Sequence, residues 1–245
     1  MQRILLHLSK VILLAATLFM LSCGNSQIIE DRITSSKTTE IVDVTADFEK
    51  IRVSQSIEIE LSQGANKSFE IIASDDARKN LEIEVENGEL SIGFKKQSMF
   101  INNSKVKILI TNPTISSLMA SSSAKIVGMN TIKSNNLVLK SSSGSEMEVS
   151  VDTDQLFITA SSGSSIEVKG ISNTVTANSS SGSSIEANTL TCGAAIANSS
   201  SGSSIEFGII KSLNASSSSG SSIDYKGTPQ IIQKKATSGS SISNR

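Results

Sequence analysis

The chain is predicted to be all-β, a single-stranded β-helix (β-solenoid) of 19-residue coils with a less regular β half before it. Three observations carry this. First, Gly144, Gly163, Gly182, Gly202, Gly220 and Gly239 follow one another at steps of 19, 19, 20, 18 and 19 residues, each inside a Ser-rich hexamer such as Ser-Ser-Gly-Ser-Ser-Ile. Second, apolar residues keep a fixed phase to these glycines. Met147, Ile166, Ile185, Ile205, Ile223 and Ile242 stand three residues on, and Val149, Val168, Ala187, Phe207 and Tyr225 two further, with a polar residue between. That alternation is the mark of a strand with one buried face. A disordered Ser/Gly linker would keep no such phase. Third, no long amphipathic helical pattern follows residue 22.

The elements run in this order. Residues 1–22 read as a lipoprotein signal peptide. Arg3, His7 and Lys10 make a basic start, and Val11 to Leu21 is apolar except for Thr17. Eleven residues is too short for a membrane-spanning helix and fits a signal core. Ser22-Cys23-Gly24 resembles a bacterial lipobox, which makes Cys23 the expected lipidation site and first mature residue, although Met20 and Leu21 depart from the usual pattern. Residues 23–44 are polar and read as a tether. Residues 45–245 form the domain, with 45–118 irregular and 119–245 regular.

Within 45–118, Phe48, Ile51 and Val53, then Ile57, Ile59 and Leu61, alternate with polar residues. Phe69, Ile71 and Ile72 mark another strand, and Asp75 to Asn80 a short helical turn. Leu81, Ile83 and Val85 enter Asn87-Gly88, and Leu90, Ile92 and Phe94 leave it, a strong hairpin signal. Val106 to Ile110 is a further strand, stopped at Asn112-Pro113. In the regular part, Ala124 is taken as a degenerate copy of the glycine, one step earlier. Leu156, Val175, Leu213 and Ile232, with Ala194 as a weak member, form another inward row. A single coil cannot bury its own apolar face, whereas stacked coils share one. The glycines are expected at corners needing positive φ. The 18- and 20-residue steps are expected to be absorbed in loops eight to twelve residues after the glycine. A right-handed coil is favoured because 19 is not a multiple of six.

This pattern resembles the head GIN domain family of auto-transporter adhesins, found in lipoproteins of Bacteroidetes-type bacteria. The run Phe48-Glu49-Lys50-Ile51-Arg52-Val53, the strand Ile57 to Leu61, the Asn87-Gly88 hairpin and the Ser-Gly rungs carry the resemblance, over about residues 45–243. It implies a β-helical fold and a cell-envelope location, with the outer membrane favoured, and it brings no catalytic residues. The rung length is also similar to that of filamentous haemagglutinin-type repeats.

Composition narrows the function. The 22 Lys and Arg nearly balance the 23 Asp and Glu, aromatics are 3% and Trp is absent, so nucleic acid is not the expected partner. The only His, His7, lies in the signal segment, and there are two Cys in all, so no cofactor is implied and histidine catalysis has no residue. Cys192 reads as a packed free thiol, and Asp152, Asp154 and the Asp75-Asp76 pair as loop or turn carboxylates without catalytic partners. Calcium-solenoid repeats need aspartate where serine stands here. The sharpest candidate is an acidic ladder, Glu148, Glu167, Glu186, Glu206 and Asp224, one per coil, directed outward. Stacked carboxylates repel by about 1 kcal/mol each in water, so weak cation binding or docking of a basic partner is one reading, and a solvated face with Lys169 and Lys226 nearby the other. The last rung, Ser238 to Ile242, leaves an open edge that Lys234, Lys235 and Arg245 guard, or that pairs end to end in a homo-oligomer. The expected role is non-enzymatic display for binding a protein or glycan, with a self-associating envelope component as the alternative and a carbohydrate-active enzyme behind both. The expected membrane contact is the lipid on Cys23.

Overall fold

The computed structural model describes residues 38–41, 46–95 and 105–245. The expected signal peptide over residues 1–22, Cys23 and most of residues 24–44 lie outside the described residues. No helix among the described residues is long and apolar enough to cross a membrane.

The regular part is a stack of parallel coils. β9 (Lys125–Ser141), β10 (Glu146–Ala160), β11 (Ser165–Ser179), β12 (Ser184–Ser199) and β13 (Ser204–Ser217) each run once around the solenoid, and β14 (Ser222–Lys226), β15 (Ile231–Ala236) and β16 (Ser241–Asn244) complete it. Residues 19 apart are direct partners between β10 and β11, from Glu146↔Ser165 to Ala160↔Ser179. The in-phase apolar rows therefore become columns. Ile126, Met147, Ile166, Ile185, Ile205 and Ile223 are all at most 2% exposed. A fully buried side chain of this kind contributes about 1.5–3 kcal/mol. Column members also compensate in size. Phe207, the bulkiest of the fully buried side chains, stacks on Ala187.

The first half is part of the same solenoid, but its chain order is not its stacking order. β2 (Lys50–Val53) lies between β6 (Glu89–Phe94) and β8 (Ser117–Ala120), parallel to both. β3 (Glu58–Gln63) likewise lies between β7 (Lys107–Asn112) and β9. The coil β2–β3 is thus sandwiched by coils that come later in sequence. Before them the chain makes an excursion through β4 (Ser68–Ala73), α1 (Asp75–Asn80) and β5 (Leu81–Glu86). β4 pairs antiparallel with β7, β5 antiparallel with β6, and β1 (Thr38–Ile41) antiparallel with β4. α1 starts where the Ser74 hydroxyl accepts the Ala77 N–H, and it buries Ala77. The Asn87-Gly88 hairpin joins β5 to β6 as its sequence demands, with φ of 51° and 73°.

Four sequence expectations need correction. Ser123, not Ala124, is the counterpart of the corner glycine: the Ser123 N–H bonds the Ser143 carbonyl as the Gly144 N–H bonds that of Ser162. Ala124 aligns instead with Ser145. Ala195, not Ala194, is the inward partner of Val175 and Leu213. The irregular steps do not fall in loops. They are register shifts inside continuous strands, between Glu167 and Lys169 against β12, and between Ala187 and Cys192 against β13. Asp152 and Asp154 are in β10 rather than in a loop.

Candidate functional site

The corner organises every surface beside it. Its centre is a pair of residues with positive φ, such as Ser143 (53°) and Gly144 (70°), closed by Ser145 N–H donating to the Ser142 carbonyl at 3.3 Å. That is the geometry of a type I′ turn. All six predicted corner glycines, Gly144, Gly163, Gly182, Gly202, Gly220 and Gly239, have φ between 69° and 72°. At Gly182 a Cβ would meet nothing within 4 Å, so glycine is there for its backbone alone. The amides of Gly144, Gly163, Gly182, Gly202 and Gly220 each bond the corner carbonyl of the next coil, as in Gly163 to Ser181 at 3.0 Å and Gly182 to Ser201 at 3.1 Å.

The residue after the glycine supplies a second, buried ladder. The Ser183 hydroxyl donates to the Ala160 carbonyl of the preceding coil at 2.8 Å and accepts the Ser180 N–H at 3.1 Å. Ser164, Ser203, Ser221 and Ser240 repeat both contacts. These serines are therefore satisfied structural groups, not nucleophiles.

Beyond the corner lies the acidic ladder, and the structure brings its five members into register: Glu148, Glu167, Glu186, Glu206 and Asp224 are successive partners. Lys169 bridges Glu148 and Glu167 at 3.1 and 2.9 Å, and these contacts hold its ammonium above the ordinary lysine value. Arg245 bridges Glu206 and Asp224 at 3.1 and 2.7 Å. Asp224 is 7% exposed and also accepts the Ser243 hydroxyl. Glu186, between the two bridges, has one long contact from the Ser184 hydroxyl at 3.4 Å. Four of the five ladder carboxylates thus share two cations, with Arg245 in the role expected of Lys226. Among the described residues no three His, Cys, Asp or Glu side chains gather as a metal site requires.

Before the corner lies a surface that sequence reading missed. One outward row runs the length of the stack through Arg52, Met119, Lys140, Thr159, Asn178, Asn198, Ser216 and Lys235, each the ladder partner of the next. Ser142, Ser161, Ser180, Ser200 and Ser218 run beside it at the corner. Two depressions join along these rows. One of about 250 Å³ is lined by Thr159, Asn178, Asn198 and Ser216, and one of about 190 Å³ by Arg52, Met119, Lys140 and Ser161, with Thr159 common to both. The Asn198 carboxamide donates to that of Asn178 at 3.0 Å. Over positions 136–142, 155–161, 174–180, 194–200, 212–218 and 231–237 there is no Asp or Glu. The missed signal was the phase of the residue four before each glycine, which is never acidic.

The remaining candidates are dispersed. Asp152 and Asp154 project from β10 on either side of the inward Thr153, and Asp154 accepts the Asn173 carboxamide at 2.8 Å. Asp75 pairs with Arg78 on α1. Cys192 is 2% exposed, unbonded to another cysteine, and burial raises its thiol pKa to about 12. It is packing material.

Comparison with known proteins follows the same lines. The chain is similar in structure to a putative adhesin from Bacteroides fragilis, with TM-score 0.80, 22% identity, 85% of this chain covered and 96% of that one. A putative adhesin from Parabacteroides merdae matches with TM-score 0.69 and 17% identity, covering 85% and 95%. A putative lipid binding protein from Parabacteroides distasonis matches with TM-score 0.68 and 21% identity, covering 85% and 96%. At these identities the likeness establishes the fold. No curated protein matches the chain. The family model described as "Putative auto-transporter adhesin, head GIN domain" matches residues 47–229, and the chain belongs to that family.

Proposed function

We propose that the chain is a non-enzymatic adhesion module of the cell envelope, lipid-anchored through Cys23, that holds an extended polar ligand along the face before the corner. The observation that carries this reading is the uninterrupted row from Met119 to Lys235, which runs through seven coils without one carboxylate; beyond it Arg52 is paired with Glu89 at 2.6 Å. A ladder fixed by backbone hydrogen bonds presents its side chains pre-organised, so little conformational freedom is lost on binding. Membership of an adhesin family and structural likeness to proteins named as adhesins support it. Binding of the purified protein to a glycan array and to whole cells tests it. Replacing Asn178 and Asn198 with alanine is expected to abolish the signal, and unchanged binding by that variant contradicts the reading.

A second reading has its own support. β15 and β16 end the stack with one strand edge each unpaired, and Ile231 and Ile232 there are 63% and 40% exposed. Such an edge invites pairing, and self-association through it would make the chain a structural envelope component. Lys234, stacked 4.6 Å over the Tyr225 ring, and Lys235 oppose it by charge. Light scattering across concentration separates the two, with a strict monomer removing self-association.

A further inference from the structure

We infer that the ligand of this face is an anionic polysaccharide, bound with its acid groups on Lys140 and Lys235 and its hydroxyls on Thr159, Asn178, Asn198 and Ser216. This rests on the adhesion reading above and adds the ligand class to it.

Charge is segregated by the corner. Carboxylates at Glu58, Glu60, Glu146 and along the acidic ladder stand after it, while positions 136–142 and their counterparts, which lead into it in the six coils from β9 to β15, hold none; Asp152 and Asp154 lie further back on β10. After the corner, Lys107 is engaged with Glu58 and Glu60, Lys125 with Glu146, and Lys169 with two ladder glutamates, while Lys226 has no ion-pair partner among the described residues and so serves as a free cation off the face. Lys140 and Lys235 are exposed and have no ion-pair partner among the described residues. They are five ladder steps apart, about 24 Å at the spacing of neighbouring strands. A small anion reaches one of them, whereas a polymer with repeated acid groups reaches both.

The chemistry between the lysines selects a polyol over a peptide. The row runs across the strands, and the main-chain groups beneath it already bond neighbouring coils, as in the Ser161 N–H to the Ser141 carbonyl and Ser180 N–H to that of Ala160. A peptide therefore finds no sheet edge to extend along this face. What the face offers is stacked hydroxyls and carboxamides, which donate and accept with sugar hydroxyls. One row over, Phe157 and Ile196 are 41% and 50% exposed and present apolar surface to the C–H faces of sugar rings.

The test measures binding of the purified protein to three probes at low and high salt: polygalacturonate (anionic), dextran (neutral) and polyglutamate (an acidic peptide). Polygalacturonate is expected to bind, and to bind more weakly as salt rises. Lys140→Glu and Lys235→Glu are each expected to weaken it by about tenfold, the corresponding arginine variants to retain it, and Lys226→Glu, a reversal off the face, to leave it unchanged. Dextran bound equally well, insensitive to both lysine reversals and lost in the Asn178/Asn198 variant, keeps the adhesion reading and overturns the anionic one. Polyglutamate preferred over polygalacturonate overturns the polysaccharide class. Lys226→Glu weakening binding as much as the face reversals overturns the assignment to Lys140 and Lys235. Binding of none of the three probes overturns the ligand class, and the array result with the Asn178/Asn198 variant then decides the adhesion reading separately.

Discussion

The two halves of this solenoid are held by different chemistry. Around β2, β3, β6 and β7 the core is made of large aliphatic side chains: Ile57, Ile59, Leu61, Leu90 and Ile108 are all fully buried. Its edges are closed by antiparallel strands and by α1. From Ser141 on, inward positions shrink to Ala160, Ala177, Ala197 and Ala215, and buried serines join them. There the missing apolar volume is replaced by hydrogen bonds between identical neighbours. A repeat can do this because each hydroxyl finds the same carbonyl one coil back. The irregular half cannot, since β2–β3 is flanked by coils unlike itself.

Substitutions at the two kinds of site should separate the halves. The largest effect is expected for Ile59→Ala, because Ile59 lies between Ile108 and Ile126 in the stack and is 0% exposed. Loss of about 2–5 kcal/mol in a denaturant melt is the expected outcome. Ser183→Ala comes next, at about 0.5–1.5 kcal/mol, because the hydroxyl bond to the Ala160 carbonyl is lost while the Ser180 N–H keeps that same carbonyl as its partner. Ala124→Ser sharpens the same point. Ala124 occupies the Ser145 position in the one corner of the regular part that lacks this hydroxyl, so a serine there should leave the melting temperature unchanged or raise it. A marked fall would mean that the hydroxyl ladder belongs to the Ser/Gly coils alone.

Gly182→Ala should cost about 1 kcal/mol, a backbone effect at φ of 70° with open space around the new methyl. Ser181→Gly, at φ of 55°, should relieve a similar strain and stabilise. Smallest is the ion-pair effect. The Lys169 pKa is raised by Glu167 first and then Glu148, so its contribution is present below the ordinary value of 10.5 and is lost as pH rises through the higher folded value. Lys169→Met should therefore lower the melting temperature slightly at neutral pH and flatten its decline on the alkaline side. An unchanged alkaline limb would show the bridge to be idle.

Much of this was legible in the sequence because a repeat states its own register. The glycine phase placed the corners, and the residues at +3 and +5 placed the buried columns, Ile166 and Val168 among them. The acidic ladder was visible for the same reason. The excursion from β4 to β5 could be read as strands, but its effect on stacking order could not, since that depends on which distant strands pair. The register of Ala124 was misread by one residue because only sequence similarity, and no turn geometry, fixed it. Ser143 and its counterparts adopt positive φ beside a glycine that seemed sufficient alone. Gly170 passes within hydrogen-bond range of the coil below, where a Cβ would lie 2.0 Å from the Val151 carbonyl oxygen, a close approach no single-chain pattern reveals. The face before the corner went unread because its signal is the absence of one residue type.

Native-state hydrogen exchange at the corner glycines tests the stacked register most directly. The amides of Gly144, Gly163, Gly182, Gly202 and Gly220 each donate to a serine carbonyl one coil on, and Gly239 has no such acceptor among the described residues. The five should be strongly protected, and Gly239 should exchange at the rate of an open turn. Corner amides that all exchange as fast as Gly239 would contradict the continuous stack.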